Sequence, residues 1–144
     1  ASILLFSCSK GVNQNAHFSI VIGVIENGEA QLKTDSDQVR SNWSKALDNN
    51  FNFNKLEIVH KNSNYFLKGT DTQKNAVGRV DLILDNGKLY EIKVDNGGRS
   101  IICSGCKGVG CQPEVTKEGG FCTSCDDGEC TKTSTLKVDE AIFK

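Results

Sequence analysis

An α+β fold is predicted: a single helix packed on an antiparallel β-meander, with a disulfide-rich C-terminal hairpin loop. Three observations predict it. From Phe18 to Val94, short runs of β-branched and aromatic residues alternate with polar ones, which is the period of a half-buried strand. Asn27-Gly28, Asn62-Ser63 and Asn86-Gly87 fall between those runs as turns, and Asn-Gly tolerates the positive φ that a tight hairpin turn needs. Only Thr34 to Asn50 spaces its apolar residues for a helix.

The chain has 144 residues, which suits one domain able to bury a core without cross-links. Its net charge is −1, so it lacks the Lys/Arg excess that a nucleic-acid partner would demand. No apolar run approaches the roughly 20 residues of a membrane-spanning helix.

Taken in order, Phe18, Ile20, Ile22 and Val24 lead a first strand. After Glu26-Asn27-Gly28-Glu29 a shorter one returns over Ala30–Lys33. The helix has Asp35 or Ser36 to cap it and Asp37 to complement the positive end of its dipole. Val39, Trp43, Ala46 and Leu47 form its apolar stripe. Strands follow at Leu56–His60 and Tyr65–Lys68, with a polar loop over Gly69–Asn75. Val77–Leu84 places Val80, Leu82 and Leu84 on one face, with Arg79 and Asp81 on the other. Leu89–Val94 is expected to turn Tyr90, Ile92 and Val94 inward and Glu91 and Lys93 outward. Asp95-Asn96-Gly97-Gly98 makes a turn, Ser100-Ile101-Ile102 enters the cysteine segment, and Thr131–Val138 is a last strand. Alternation of this kind leaves one face of a sheet wet, and the helix is the cover for the other. His17 and His60 lie at strand ends and read as packing or surface residues.

Six of the seven cysteines fall between residues 103 and 130. Cys103-x2-Cys106-x4-Cys111 recurs nineteen residues later as Cys122-x2-Cys125-x4-Cys130. Apart from Phe121 the segment has little apolar bulk, so covalent or metal bonds are needed to order it. Three disulfides suit an exported protein, since disulfides persist outside the reducing cytosol. If the strands entering at Cys103 and leaving at Cys130 are neighbours, the cysteines nest as in a long hairpin, which favours Cys103–Cys130, Cys106–Cys125 and Cys111–Cys122. The alternative follows the repeat: Cys103–Cys122, Cys106–Cys125 and Cys111–Cys130. The two schemes share Cys106–Cys125. Zinc is a second possibility, because Cys103, Cys106, Cys122 and Cys125 have the spacing of a four-thiolate site. A thiol–disulfide redox protein is a third. It is disfavoured because Asp126, Asp127 and Glu129 would raise a nearby thiol's pKa, where a reactive cysteine needs a lowered one. The same acidic run reads as a solvated loop rather than a calcium site. No catalytic residues are indicated, for no nucleophile–base motif and no phosphate loop is present.

Two segments carry family resemblances. Cys103-Ser-Gly-Cys106-Lys-Gly108-Val-Gly110 resembles the C-x-x-C-x-G-x-G repeat of DnaJ-type chaperones, which use four such repeats to bind two zinc ions. The second half of this segment departs from it, with Asp127 and Glu129 where the glycines belong. A zinc-binding, chaperone-like role is what that resemblance implies. Near the start, Leu5-Phe6-Ser7-Cys8 resembles the lipobox of bacterial lipoproteins, in which the cysteine is lipidated; Phe6 departs from the small residue usual there. Cys8 would then be the lipid-attachment site, leaving six cysteines to pair; the alternative is a free Cys8 buried in a strand. The expected organisation is a signal remnant and lipobox over 1–8, a polar tether over 9–16, and one α+β domain over 17–144.

By overall layout the chain resembles small envelope lipoproteins of Bacteroidetes-type bacteria with a Gly/Cys-rich tail. That resemblance implies no particular activity. The expectation is a non-enzymatic protein of the bacterial cell envelope, anchored to the membrane through its N-terminal lipid, without a cofactor, acting as a structural or interaction module for a protein or glycan. Ser9-Lys10-Gly11 follows Cys8 in place of an acidic sorting signal, which favours a periplasm-facing over a surface-exposed location.

Overall fold

A computed structural model describes residues 20–91, 93–94, 97–98, 100–106, 110–116, 119–126, 128–135 and 143. The expected lipobox with Cys8, the tether and His17 lie outside the described residues.

The first hairpin pairs β1 (Gly23–Glu26) with β2 (Glu29–Leu32). Asn27 and Gly28 close it at φ 53° and 79°, the left-handed pair that matches the twist of a two-residue hairpin. Helix α1 follows over Ser36–Ala46. The Asp35 side chain caps it by accepting from the Asp37 and Gln38 backbone N–H groups, at 3.0 and 3.2 Å. The helix is shorter than its sequence suggests, because Asp48 and Asn49 take positive φ and end it one turn early.

Strands β3 (Lys55–Lys61), β4 (Asn64–Asp71), β5 (Ala76–Asp85) and β6 (Lys88–Glu91) run as an antiparallel meander. Residues 69–71, expected in a loop, continue β4. Gly69 pairs with Gly78, and the Asp71 carboxylate accepts from the Gln73 and Lys74 backbone N–H groups to close the turn. A short hairpin of β7 (Lys93–Val94) and β8 (Gly97–Gly98) interrupts the sheet before β9 (Ser100–Ser104) rejoins it. Leu82 pairs with both Tyr65 and Glu91, and Val80 with both Leu67 and Ser100. Strands β6 and β9 therefore lie end to end along one side of β5, with β4 on the other.

The cysteine segment contributes β10 (Pro113–Thr116) and β11 (Gly119–Cys122), which pair with each other as a separate two-stranded sheet. Strand β12 (Thr131–Thr135) pairs with β9, while β1 pairs with β6. Among the described residues the result is an eight-stranded sheet with one helix, β-dominant rather than a balanced α+β fold. The sheet curls: the Cα atoms of edge strands β2 and β3 come within 8 Å, and a Cβ on Gly23 of β1 would lie 2.6 Å from Ile58 Cδ1.

The concave face holds the main core. Trp43 and Phe53 are fully buried there with Ile22, Leu67, Leu89 and Ile102. The expected helix stripe packs as anticipated, with Val39, Trp43 and Leu47 all buried. Strand β6 has the opposite facing from the one expected. The Asn86-Gly87 turn sets Leu84 against Leu89 and Leu82 against Glu91, so Leu89 and Glu91 turn to the core and Tyr90 turns away. Ile92 and the Val94 side chain lie outside the description. The convex face is not simply wet either, because the cysteine segment folds back over it.

Candidate functional site

The convex face of β5 and β9 presents Arg79, Ile101 and Cys103, with Phe66 beside them on β4. The β10–β11 hairpin lies over this surface. A Cβ on Gly120 would stand 1.9 Å from Ile101 Cδ1, so any side chain there would have to displace the end of Ile101. A second small core results: Ile101, Cys103, Cys106 and Cys111 are buried, with Val115, Cys122, Cys125 and Cys130 packed against them. Sulfur supplies the bulk that the segment's sequence lacks.

Three disulfides close the module: Cys103–Cys122, Cys106–Cys125 and Cys111–Cys130, each spanning 19 residues. The nested pairs Cys103–Cys130 and Cys111–Cys122 are corrected to the pairing that follows the repeat. The premise behind nesting holds, since β9 and β12 are antiparallel neighbours. The failure lies between them. The segment is no flat loop: its inner hairpin folds back over β9, which carries Cys122 at the end of β11 onto Cys103. In the ladder Cys103 faces Lys132, leaving Cys130 outside it, one residue before Thr131. Cys111 is turned away from Cys122 by its own backbone at φ 55° and by a bond from its N–H to the Thr123 carbonyl, at 3.0 Å. Gly110 beside it has φ 112°, and a Cβ there would stand 2.0 Å from the Ser124 carbonyl oxygen, so this crossing requires glycine.

Of the four cysteines expected for zinc, Cys103 is bonded to Cys122 and Cys106 to Cys125. The sulfurs that do gather are those of Cys103, Cys122 and Cys130, all within 4.8 Å of one another. His60 stacks flat on Tyr65 with ring centroids 4.1 Å apart and stays exposed, as expected of a packing or surface residue.

A chain of alternating charges fastens the module to the sheet. Arg79 Nε donates to Asp81 at 2.8 Å, and its guanidinium reaches the Pro113 carbonyl at 3.3 Å and Glu114 at 3.8 Å. Glu114 also pairs with Lys61 of β3 at 2.9 Å. The guanidinium lies 4.0 Å above the Phe66 ring, where the ring's negative face attracts it. Nothing in the sequence marks Arg79 as special: its alternation predicts a solvated residue, yet only 8% of its side chain is exposed. Breaking a buried charge network strands the partner charges, so Arg79→Ala is expected to lower stability by about 3 kcal/mol. A denaturant titration measures it, and proteolysis should become faster within the β10–β11 hairpin.

Between the β4–β5 turn and the module lies a cleft of about 220 Å³, lined by Asp71, Asn75, Cys106, Cys111 and Gln112 among others. Asp71 is its acidic group. Oδ1 accepts the Gln73 and Lys74 N–H groups and Oδ2 accepts the Asn52 N–H, so this carboxylate is occupied with backbone.

No protein-family model, curated protein or solved structure matches this chain. Among the described residues no helix is long and apolar enough to cross a membrane.

Proposed function

We propose that the chain is a non-enzymatic binding or interaction module of the bacterial cell envelope, lipid-anchored through Cys8 and facing the periplasm. The observation that carries this reading is the cross-linking of all six clustered cysteines, a state that persists where proteins are kept oxidised. Lipid attachment at Cys8 rests on the lipobox resemblance and accounts for the seventh cysteine. In the cleft beside the module the Asp71 carboxylate is committed to backbone N–H groups, which supports a role in binding rather than catalysis. Phe121 stands 46% exposed on β11, an apolar contact of the kind a protein or a sugar ring takes up.

Protein isolated from its own host tests this. Intact mass and peptide mapping without reduction should show no free thiol among the six cysteines and acyl chains on Cys8. Four or more free thiols, or one tightly held zinc per chain, would overturn it in favour of a zinc-bearing, chaperone-like module. An unmodified Cys8 preceded by an intact Ala1 would remove the anchor.

A further inference from the structure

Two of the three disulfides lie side by side. The Cys103–Cys122 bridge and the Cys130 end of the Cys111–Cys130 bridge share one cluster, with the three sulfurs within 4.8 Å. Sulfur atoms that close need only a small shift for one to attack the other as a thiolate, the step by which disulfides exchange. Cys103 is fully buried, so an external thiol reaches it poorly, whereas Cys130 is half-buried and already beside it.

We propose that Cys130 is an internal attacking sulfur, and that the module has a second bridge arrangement reached by local exchange. A dithiol reductant reduces Cys111–Cys130; its two sulfurs become a disulfide, and Cys111 and Cys130 receive the two electrons. The Cys130 thiolate attacks Cys103 Sγ. The Cys103–Cys130 bond forms, the Cys103–Cys122 bond breaks, and Cys122 leaves as a thiolate that takes a proton from water. Attack at Cys103 is favoured over attack at Cys122 by the leaving group. Cys122 is only partly buried, so its charge meets solvent on departure, whereas a thiolate left on Cys103 would be fully buried.

The product is compatible with the sheet. Cys130 precedes the first ladder residue of β12 and is not held by its pairing. The new bridge closes 27 residues in place of 19, a loop-closure difference of less than about twofold in equilibrium constant. What changes is the hairpin. Exchange removes the bond between β11 and β9 and transfers it to the β9–β12 pair, leaving β10–β11 held by Cys106–Cys125 and by the Arg79 contacts. The module is thus a redox-sensitive clasp. This inference depends on the pairing alone and not on where the protein resides.

The test uses the full chain carrying Cys111→Ser, which frees Cys130 without any reductant. After incubation at mildly alkaline pH, thiols are trapped in acid with a maleimide and located by peptide mapping. Label is expected on both Cys130 and Cys122, in shares within about tenfold of each other because the two loops are alike in length. Label on Cys130 alone overturns the proposal, as does label that also appears on Cys106 and Cys125, which signals global scrambling. Cys130→Ser is the control: the freed Cys111 is outside the sulfur cluster and should keep all of the label. Should Cys111→Ser fail to fold, wild-type protein is treated with limiting dithiothreitol and quenched early. Free Cys111 with Cys122 then supports exchange, and free Cys111 with Cys130 only overturns it.

Discussion

Trp43→Ala is expected to cost about 3–5 kcal/mol, a large share of the stability of a domain this size. Trp43 is fully buried at the centre of the concave core, in contact with Phe53 at a ring-centroid distance of 4.4 Å. Its six-membered ring lies against two glycines that face each other across β4 and β5. A Cβ on Gly69 would stand 2.9 Å from Trp43 Cζ3, and one on Gly78 would stand 2.8 Å from Trp43 Cζ2. The glycines are thus the floor on which the indole rests. Gly78→Ala would normally help a strand, since glycine is a weak strand residue. Here it is expected to destabilise by about 1–3 kcal/mol, because neither buried ring can move aside. Trp43→Phe should cost less than Trp43→Ala; it also removes an indole N–H that is buried with no hydrogen-bond partner among the described residues. The double variant Gly78→Ala/Trp43→Phe should then cost less than its parts combined, with a coupling of about 1 kcal/mol. Urea titrations of the four variants measure these values. Strict additivity would show that the ring and the glycine floor do not meet as described.

The parts of this architecture legible in the sequence are those set by local chemistry. Asn-Gly at 27–28 and 86–87 fixes hairpins because few other pairs accept two positive φ values in succession. Val39, Trp43 and Leu47 reveal a helix because its period differs from that of a strand. What was not legible depends on contacts between segments far apart in the chain. The glycine floor gives no sequence signal, for Gly69 reads as a loop residue and Gly78 as a weak point in a strand. Arg79 reads as solvated until a hairpin 34 residues later covers it. The nested pairing failed for the same reason. Nesting describes a flat loop, whereas the nineteen-residue repeat matches the observed partners and is legible in the sequence.

Complete reduction is expected to lower stability by at least about 3 kcal/mol, the loop-closure contribution of a single bridge of this length. The three contributions should not add, because the loops interleave and each already restricts the others. The loss should also be uneven across the molecule. Among the described residues the concave core contains no cysteine, and of its buried members Ile102 alone lies on a strand that a bridge joins. The convex core is built largely of the bridges themselves. Reduction should therefore release β10 and β11 first, with hydrogen exchange at Val115 and Phe121 speeding up while that at Leu67 and Val80 stays slow. Trp43 fluorescence should remain native in the reduced protein without denaturant, then report a lower urea midpoint. Among single bridges, Cys103→Ala/Cys122→Ala should cost most, since Cys103 is fully buried against the sheet and its removal leaves a gap between Ile101 and the hairpin. An unchanged midpoint after reduction would mean that the second core is held by the Arg79 network and backbone pairing instead, with the sulfurs contributing only bulk.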